Sequence, residues 1–265
     1  LKIFSFLIFS FILLNMNRYS GFGNDAPAHM FYFLLIFYFL KSNDTNYIEK
    51  NFRFVTLISL YTFLIKPFFI LSTVLALIFI INKYKLIKIF NFYNIFLIFI
   101  FFAWIFKNIL ITGCMIYPLE ISCFNNISWV SNNAGVFSLT SEAWAKGWPD
   151  RENKSLAFEE YLINFNWIST WASNHLNKIL EKFSFFLAVI ILFGVIISIK
   201  NKTSYLRKKK ELFQLIIFNL IFIFAWFLFF PIYRFGFGII ATSISLIFIY
   251  IFYNKLSLEN KFFYK

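Results

Sequence analysis

Charged residues are scarce in this chain of 265 residues: they make up 14% of it, against 60% hydrophobic residues that include 43 Phe. A soluble domain is excluded, because one compact core cannot hide so much apolar surface. Lipid must be the solvent. The sequence therefore predicts an all-α integral membrane protein.

Long apolar runs are also few. The runs fall at residues 1–14, 28–40, 54–65, 68–82, 89–112, 183–199, 213–230 and 236–253. A perpendicular crossing needs about 20 residues, so only the run at 89–112 is comfortably long, and the others must borrow flanking residues or be re-entrant. We predict about eight transmembrane or re-entrant helices. The first run opens directly on Leu1, which predicts that the chain is a fragment of a longer protein.

The distribution of basic residues predicts the orientation. If the early loop at 15–27 lies outside, 16 of the 25 Lys and Arg residues fall on the inside, in loops of smaller total length. Cytoplasmic loops carry this excess in membrane proteins. The net charge of +13 therefore follows from topology and predicts no nucleic-acid partner.

Three parts follow from the runs. Residues 1–112 form N-terminal membrane helices, 113–182 form an extracytoplasmic amphipathic helical subdomain between the fifth and sixth helices, and 183–265 form C-terminal membrane helices. The middle part holds seven of the twelve acidic residues and five of the seven Trp. Those indoles are either interfacial anchors or platforms that stack on sugar rings. Within it, apolar residues at a 3.6-residue period predict one amphipathic helix over 155–180.

Cysteine is limited to Cys114 and Cys123, both in the middle part. Their spacing of nine residues predicts a structural disulfide that closes a small loop in an oxidising compartment. A divalent metal bound by Asp25, His29 and Glu120 is conceivable, but the chain has no CxxC pair and no HExxH motif. We therefore predict no cofactor and leave a divalent metal open.

The early loop gathers ionisable groups between two stretches of hydrocarbon. Asp25 lies near Arg18 and His29, and an ionisable cluster at that depth is typical of a functional site. Asp25 also precedes a helix that begins near Pro27, whose positive end favours the ionised carboxylate. Two interpretations stay open: Asp25 is a catalytic base, or it caps that helix.

Three further cations map to the same outer face under this topology: Lys66, Lys107 and Arg234. Each could extend harmlessly to water. Together they would bind a lipid-linked phosphate, with Arg giving bidentate contacts and Lys a point charge. The predicted substrate-binding residues are Arg18, His29, Lys66, Lys107 and Arg234.

The loop with Asp25 and its aromatic-rich helix, the element at 107–118 and the element at 231–238 resemble bacterial multi-span membrane glycosyltransferases of the GT-C superfamily. The resemblance is to the branch linked to cell-surface polysaccharide assembly. It implies a polyprenyl-phosphate-linked sugar donor, a glycan or lipid acceptor and a site on the outer face of the bacterial cytoplasmic membrane. It also implies that Asp25 is the base of an inverting transfer and that Arg234 holds the carrier phosphate.

Two other classes remain open. A flippase or transporter for lipid-linked sugars would also place charges at broken helices, and a noncatalytic membrane scaffold would need no ordered cluster around Asp25. A transferase should bring Asp25 within about 10 Å of Arg234 in a small-ligand cleft. A carrier should continue its polar path towards the cytoplasmic side.

Overall fold

The computed structural model of the protein describes residues 1–19, 21, 23–41, 48–83, 92–117, 119–124, 134–199 and 209–253. Most of these residues are helical, and among them no strand forms. The helices are α1 (Lys2–Tyr19), α2 (Asp25–Lys41), α3 (Ile48–Ile65), α4 (Leu71–Lys83), α5 (Phe92–Thr112), α6 (Ala134–Ala145), α7 (Phe158–Leu162), α8 (Ile168–Trp171), α9 (Asn177–Ser198), α10 (Lys209–Phe229) and α11 (Tyr233–Ile251). The all-α prediction is confirmed.

In the described residues, most of each apolar run lies in a separate helix, α1 to α5 and α9 to α11. Four helices in the described part of the chain are long and apolar enough to cross a membrane. They are Phe92–Thr112, Ile168–Ser198, Glu211–Phe229 and Tyr233–Ile251. Large apolar side chains such as Phe99 and Phe185 are exposed on the outside of the bundle, and a surface of this kind suits lipid.

Helix α11 forms the centre of the bundle. In its most apolar 18-residue stretch, 56% of the residues are buried. The corresponding share for α5 is 6%, so α5 lies at the periphery of the bundle. Buried small residues on α11, among them Gly236, Ala241 and Ser245, let neighbouring backbones approach closely, as is usual between membrane helices. Helix α11 packs against α1, α2, α9 and α10. The first turns of α2 and α11 consequently lie side by side.

The early loop is shorter than the range 15–27, because α1 continues through Tyr19 and α2 begins at Asp25. The polar residues that follow the first apolar run extend the helix. Pro27 is the third residue of α2, within its first turn, where a missing N–H costs no hydrogen bond.

The prediction of a single amphipathic helix over 155–180 is wrong. The chain forms α7, then a 3₁₀ turn at Ile163–Phe165 in which Asn164 (φ 53°) and Phe165 (φ 59°) are left-handed. An L-residue in this region cannot continue a right-handed helix. The second half of the segment is instead continuous with α9 through a π turn at Ala172–Leu176. The resulting helix runs unbroken from Ile168 to Ser198 and therefore crosses residue 182, the predicted end of the middle part.

A buried hydrogen bond joins α2 to α10: the Tyr32 hydroxyl donates to Oδ1 of Asn219 at 2.8 Å. We expect Tyr32→Phe to lower the free energy of unfolding by about 0.6–2 kcal/mol, because the Asn219 oxygen loses its donor in an apolar interior. Thermal unfolding in detergent measures this. Tyr38→Phe, on the same helix, is the matched control and should change little. Equal effects of the two substitutions would contradict a specific bond.

Candidate functional site

Asp25 is the first residue of α2, and its buried carboxylate lies between two cations. Nζ of Lys66 is 2.5 Å from Oδ1, and Nε of Arg234 is 3.2 Å from Oδ2. Residues 25, 66 and 234 are far apart in the sequence, so the fold brings them together. We call Asp25, Lys66 and Arg234 the acid–cation cluster.

Local backbone structure places each cation at a helix end. Lys66 lies in the break between α3 and the 3₁₀ turn Pro67–Ile70 and has extended backbone angles (φ −142°, ψ 100°). The following proline imposes this conformation, since its ring disfavours the helical region for the preceding residue. Arg234 is the second residue of α11. Both side chains therefore leave the backbone at the end of the bundle where α2 begins.

The electrostatics of the acid–cation cluster favour an anion. Two cations and one carboxylate carry a net charge of +1, and the N-terminal ends of α2 and α11 add two positive helix dipoles. Such helix ends are ready-made anion sites because their first N–H groups lack intrahelical acceptors. Asp25 supplies one negative charge, and the arrangement can accept more.

Arg234 holds Asp25 loosely. The Nε–Oδ2 contact is close enough for an ion pair, but the N–H is not aimed for a hydrogen bond. The side chain is 43% exposed, and a guanidinium has five N–H donors. Lys66, by contrast, donates a short hydrogen bond to Asp25 and lies 3.7 Å above the ring of Phe235. Arg234 is therefore the cation with donors to spare for a ligand.

His29 follows Asp25 by one helical turn and is fully buried. Its ring makes edge contacts with Tyr19 and Phe69, each 5.8 Å between ring centroids, and it packs on Gly238. A backbone group of Phe235 faces the ring, yet neither ring nitrogen makes a hydrogen bond of normal geometry among the described residues. A β-carbon at residue 238 would lie 2.9 Å from Cδ2 of His29. This close approach requires glycine.

The other predicted binding residues do not join the cluster. Lys107 is exposed on α5, and none of its described contacts reaches Asp25. The peripheral position of α5 explains this. Arg18 lies in the last turn of α1, but its side chain is outside the described atoms. The structure thus unites Asp25, His29, Lys66 and Arg234 at one end of the bundle.

The two cysteines form a disulfide, Cys114–Cys123, just after α5. Backbone hydrogen bonds from Met115 to Ser122 and from Phe124 to Gly113 close the same loop. Glu120 lies in this loop against Gly135, at the start of α6. Among the described residues, no three His, Cys, Asp or Glu side chains lie close enough together to hold a metal ion.

Two indoles hold the turn that precedes Arg234. Nε1 of Trp171 donates to the carbonyl of Pro231 at 2.6 Å, and Nε1 of Trp226 donates to the carbonyl of Ile232 at 3.0 Å. Both carbonyls belong to the short connection between α10 and α11. The Ile232 carbonyl also accepts backbone N–H groups of Phe235 and Gly236, whereas the only described donor to the Pro231 carbonyl is Trp171. Sequence reasoning missed this role. The one general rule that points to it is that a buried indole N–H needs a hydrogen-bond acceptor.

The indoles of the middle part fit neither predicted role as a group. Trp148, Trp167 and Trp171 are buried in protein contacts, so they serve neither as interfacial anchors nor as open sugar platforms. Trp144 is 63% exposed and remains available for either role. Trp129 lies outside the described residues.

Trp171→Phe should loosen the Arg234 turn. The substitution keeps an aromatic ring but leaves the buried Pro231 carbonyl without its donor, which costs about 1–3 kcal/mol. Thermal unfolding measures the loss, and Trp144→Phe on the exposed face of α6 is the control. A Trp171→Phe protein as stable as the control would show that the indole donor does not hold the turn.

An all-helical bundle with four helices long and apolar enough to cross a membrane, and with a buried carboxylate paired to two cations at one end, is consistent with a membrane protein. The chain belongs to the family described as "Domain of unknown function (DUF8201)", whose family model matches residues 1–241. That match includes every residue of the acid–cation cluster. Comparison with curated proteins and with solved structures finds no match.

Proposed function

We propose that the protein is an integral membrane glycosyltransferase that moves a sugar from a polyprenyl-phosphate carrier to a glycan or lipid acceptor. The observation that carries this proposal is one buried carboxylate paired with two cations where α2 and α11 begin. A carboxylate accepts a proton, and cations stabilise a departing phosphate. Both requirements of the transfer are met within one cluster.

In the proposed reaction the acceptor hydroxyl oxygen attacks the anomeric carbon, and its proton passes to a carboxylate oxygen of Asp25. The bond from the anomeric carbon to the carrier phosphate breaks, and its electron pair leaves with the phosphate. Lys66 and Arg234 stabilise the charge that develops there. Attack opposite the leaving group inverts the anomeric configuration. One base suffices, because phosphate is a good leaving group.

Donor binding would also release the base. Without donor, both oxygens of Asp25 contact a cation, so both are occupied before the acceptor hydroxyl arrives. A carrier phosphate competes for the same cations, and the misaligned contact of Arg234 is the easier one to exchange. Asp25 then becomes free to act only when the donor is in place.

The finer topology belongs to the same proposal. We place eight helices in or across a bacterial cytoplasmic membrane, with the acid–cation cluster on the extracytoplasmic side. The shorter helices α1 to α4 reach the interface through their polar ends. The middle part, 113–182, lies on the outer surface, where its disulfide would meet an oxidising compartment.

A carrier for lipid-linked sugars is the competing function. About 10 Å below Asp25 along α2, Tyr32 packs against Phe69 and Phe222 at 5.3 and 5.7 Å between ring centroids. A carrier would have to open this aromatic layer, whereas a transferase works above it. This arrangement supports the transferase.

A deletion strain tests the proposal. We expect its surface glycan to lack a sugar, its polyprenyl-linked sugar to accumulate in the outer leaflet, and the wild-type gene to reverse both. Leaflet-selective labelling locates the lipid. Accumulation in the inner leaflet would instead favour a carrier, and an unchanged glycan would favour a scaffold.

A further inference from the structure

A cavity of about 220 Å³ lies between the first two turns of α9 and of α11. Its lining consists of Lys178, Glu181 and Lys182 from α9 and Tyr233 and Phe237 from α11. Small-molecule sites of drug size occupy about 300–1,000 Å³, so this cavity suits a smaller ligand of monosaccharide size.

The lining combines a partly exposed aromatic ring, Tyr233, with charged side chains. Phe237 is buried and Tyr233 stands beside it, with 5.7 Å between their ring centroids. Glu181 and Lys182 pair at 2.5 Å, while Nζ of Lys178 lies 5.3 Å above the ring of Tyr233. Among the described contacts, Lys178 is paired with this aromatic face and not with a carboxylate. The lining therefore has a net charge of +1.

This chemistry matches a sugar that carries one negative charge. The partly exposed ring of Tyr233 can pack against the apolar C–H face of a sugar. Glu181 can accept hydrogen bonds from hydroxyl groups, and Lys178 can bind a carboxylate or phosphate as a point charge. A neutral sugar would leave the extra positive charge uncompensated.

The cavity adjoins the acid–cation cluster. Tyr233 immediately precedes Arg234 on α11, so adjacent residues face the cavity and Asp25. The ring of His175 lies 5.7 Å from that of Tyr233 and helps to fix it. A ligand in the cavity is thus held beside the first turn of the helix that carries Arg234.

We propose that this cavity binds a hexose-sized sugar residue with one negative charge and that this residue is part of the acceptor. The acceptor role rests on the proposed function, whereas the binding itself does not. The same anionic chemistry occurs in a soluble uronic acid and in an anionic phospholipid headgroup. The test separates these two sources.

Saturation-transfer NMR on the full chain in phosphatidylcholine nanodiscs measures binding directly. The probes are methyl glucuronoside and methyl glucoside, and phosphatidylglycerol added to the nanodisc is the competitor. We expect saturable binding of the uronoside, weaker binding of the glucoside, and at least about tenfold weaker uronoside binding by Lys178→Gln/Lys182→Gln. Tyr233→Leu should weaken both probes. Lys41→Gln/Lys154→Gln, which removes two lysines from exposed positions outside the cavity, is the charge-matched control and should bind like wild type.

Equal binding of the two probes, or undiminished uronoside binding by Lys178→Gln/Lys182→Gln, would overturn the proposal. Complete displacement by phosphatidylglycerol would assign the cavity to lipid and would also overturn it. Binding by Asp25→Asn separates the two claims. If this variant binds the uronoside while wild type transfers no sugar, the binding site stands and the proposed transferase function fails.

Discussion

Asp25→Asn should reduce sugar transfer by about 10²–10⁴-fold, the usual contribution of a general base. Asparagine has nearly the same shape and keeps one oxygen for Lys66, but it cannot accept the acceptor's proton. The assay is transfer of labelled sugar in membranes that contain equal amounts of inserted wild-type and variant protein. Retained activity at wild-type rate would assign Asp25 to the capping role instead.

The structural cost of this substitution must be separated from the chemical one. Removing the charge leaves Lys66 and Arg234 beside each other without a carboxylate, which should destabilise the protein by about 1–3 kcal/mol. Asp25→Asn/Lys66→Met removes one cation as well and should recover most of that stability. A double variant that regains stability but not transfer shows that the loss of activity is chemical and not a consequence of unfolding. One that regains both identifies a structural ion pair.

Lys66→Met/Arg234→Met should be the most destabilising combination, by about 3–5 kcal/mol, because it leaves a buried carboxylate without a cation. Adding Asp25→Asn should restore most of the loss, since the whole cluster is then neutral. Thermal unfolding in detergent measures these stabilities. We expect the double variant to unfold at the lowest temperature and the triple variant to unfold near the wild-type temperature. Neither should transfer sugar, because the leaving phosphate has lost both cations.

A matched control removes two cations elsewhere. Lys41→Met/Lys154→Met takes two lysines from exposed positions and should change stability little, as surface charges contribute about 0–1 kcal/mol. If Lys66→Met/Arg234→Met unfolds like this control, or if Asp25→Asn brings no recovery, the ion pairs at Asp25 do not contribute to stability as the geometry indicates.

The sequence predicts which residues stand at the ends of apolar runs, and that was enough to place Asp25, Lys66 and Arg234 at one end of the bundle. Consecutive membrane helices alternate in direction, so every second connection shares a side. The boundaries of an apolar run do not predict how deeply its helix is buried in the bundle or which of its faces points inward. Lys107 ends a long run in the same way, but it lies on a peripheral helix that is only 6% buried.

The remaining contacts depend on packing between distant segments. The fit of His29 on Gly238 and the indole bond from Trp171 to Pro231 join residues that no local pattern relates. The helix breaks at two successive left-handed residues, Asn164 and Phe165, which leave the apolar periodicity on either side intact. Periodicity alone therefore extended one helix across a turn.

The most direct measurement of the central claim uses vesicles from a deletion strain, supplied with a labelled polyprenyl-phosphate sugar and containing wild type, Asp25→Asn or Asp25→Asn/Lys66→Met. The vesicles provide the natural acceptor. The claim predicts that label enters envelope glycan only with wild type, although all three proteins are inserted and folded. Equal incorporation with the folded double variant, or movement of the intact lipid-linked sugar across the bilayer by wild type without transfer, would contradict it.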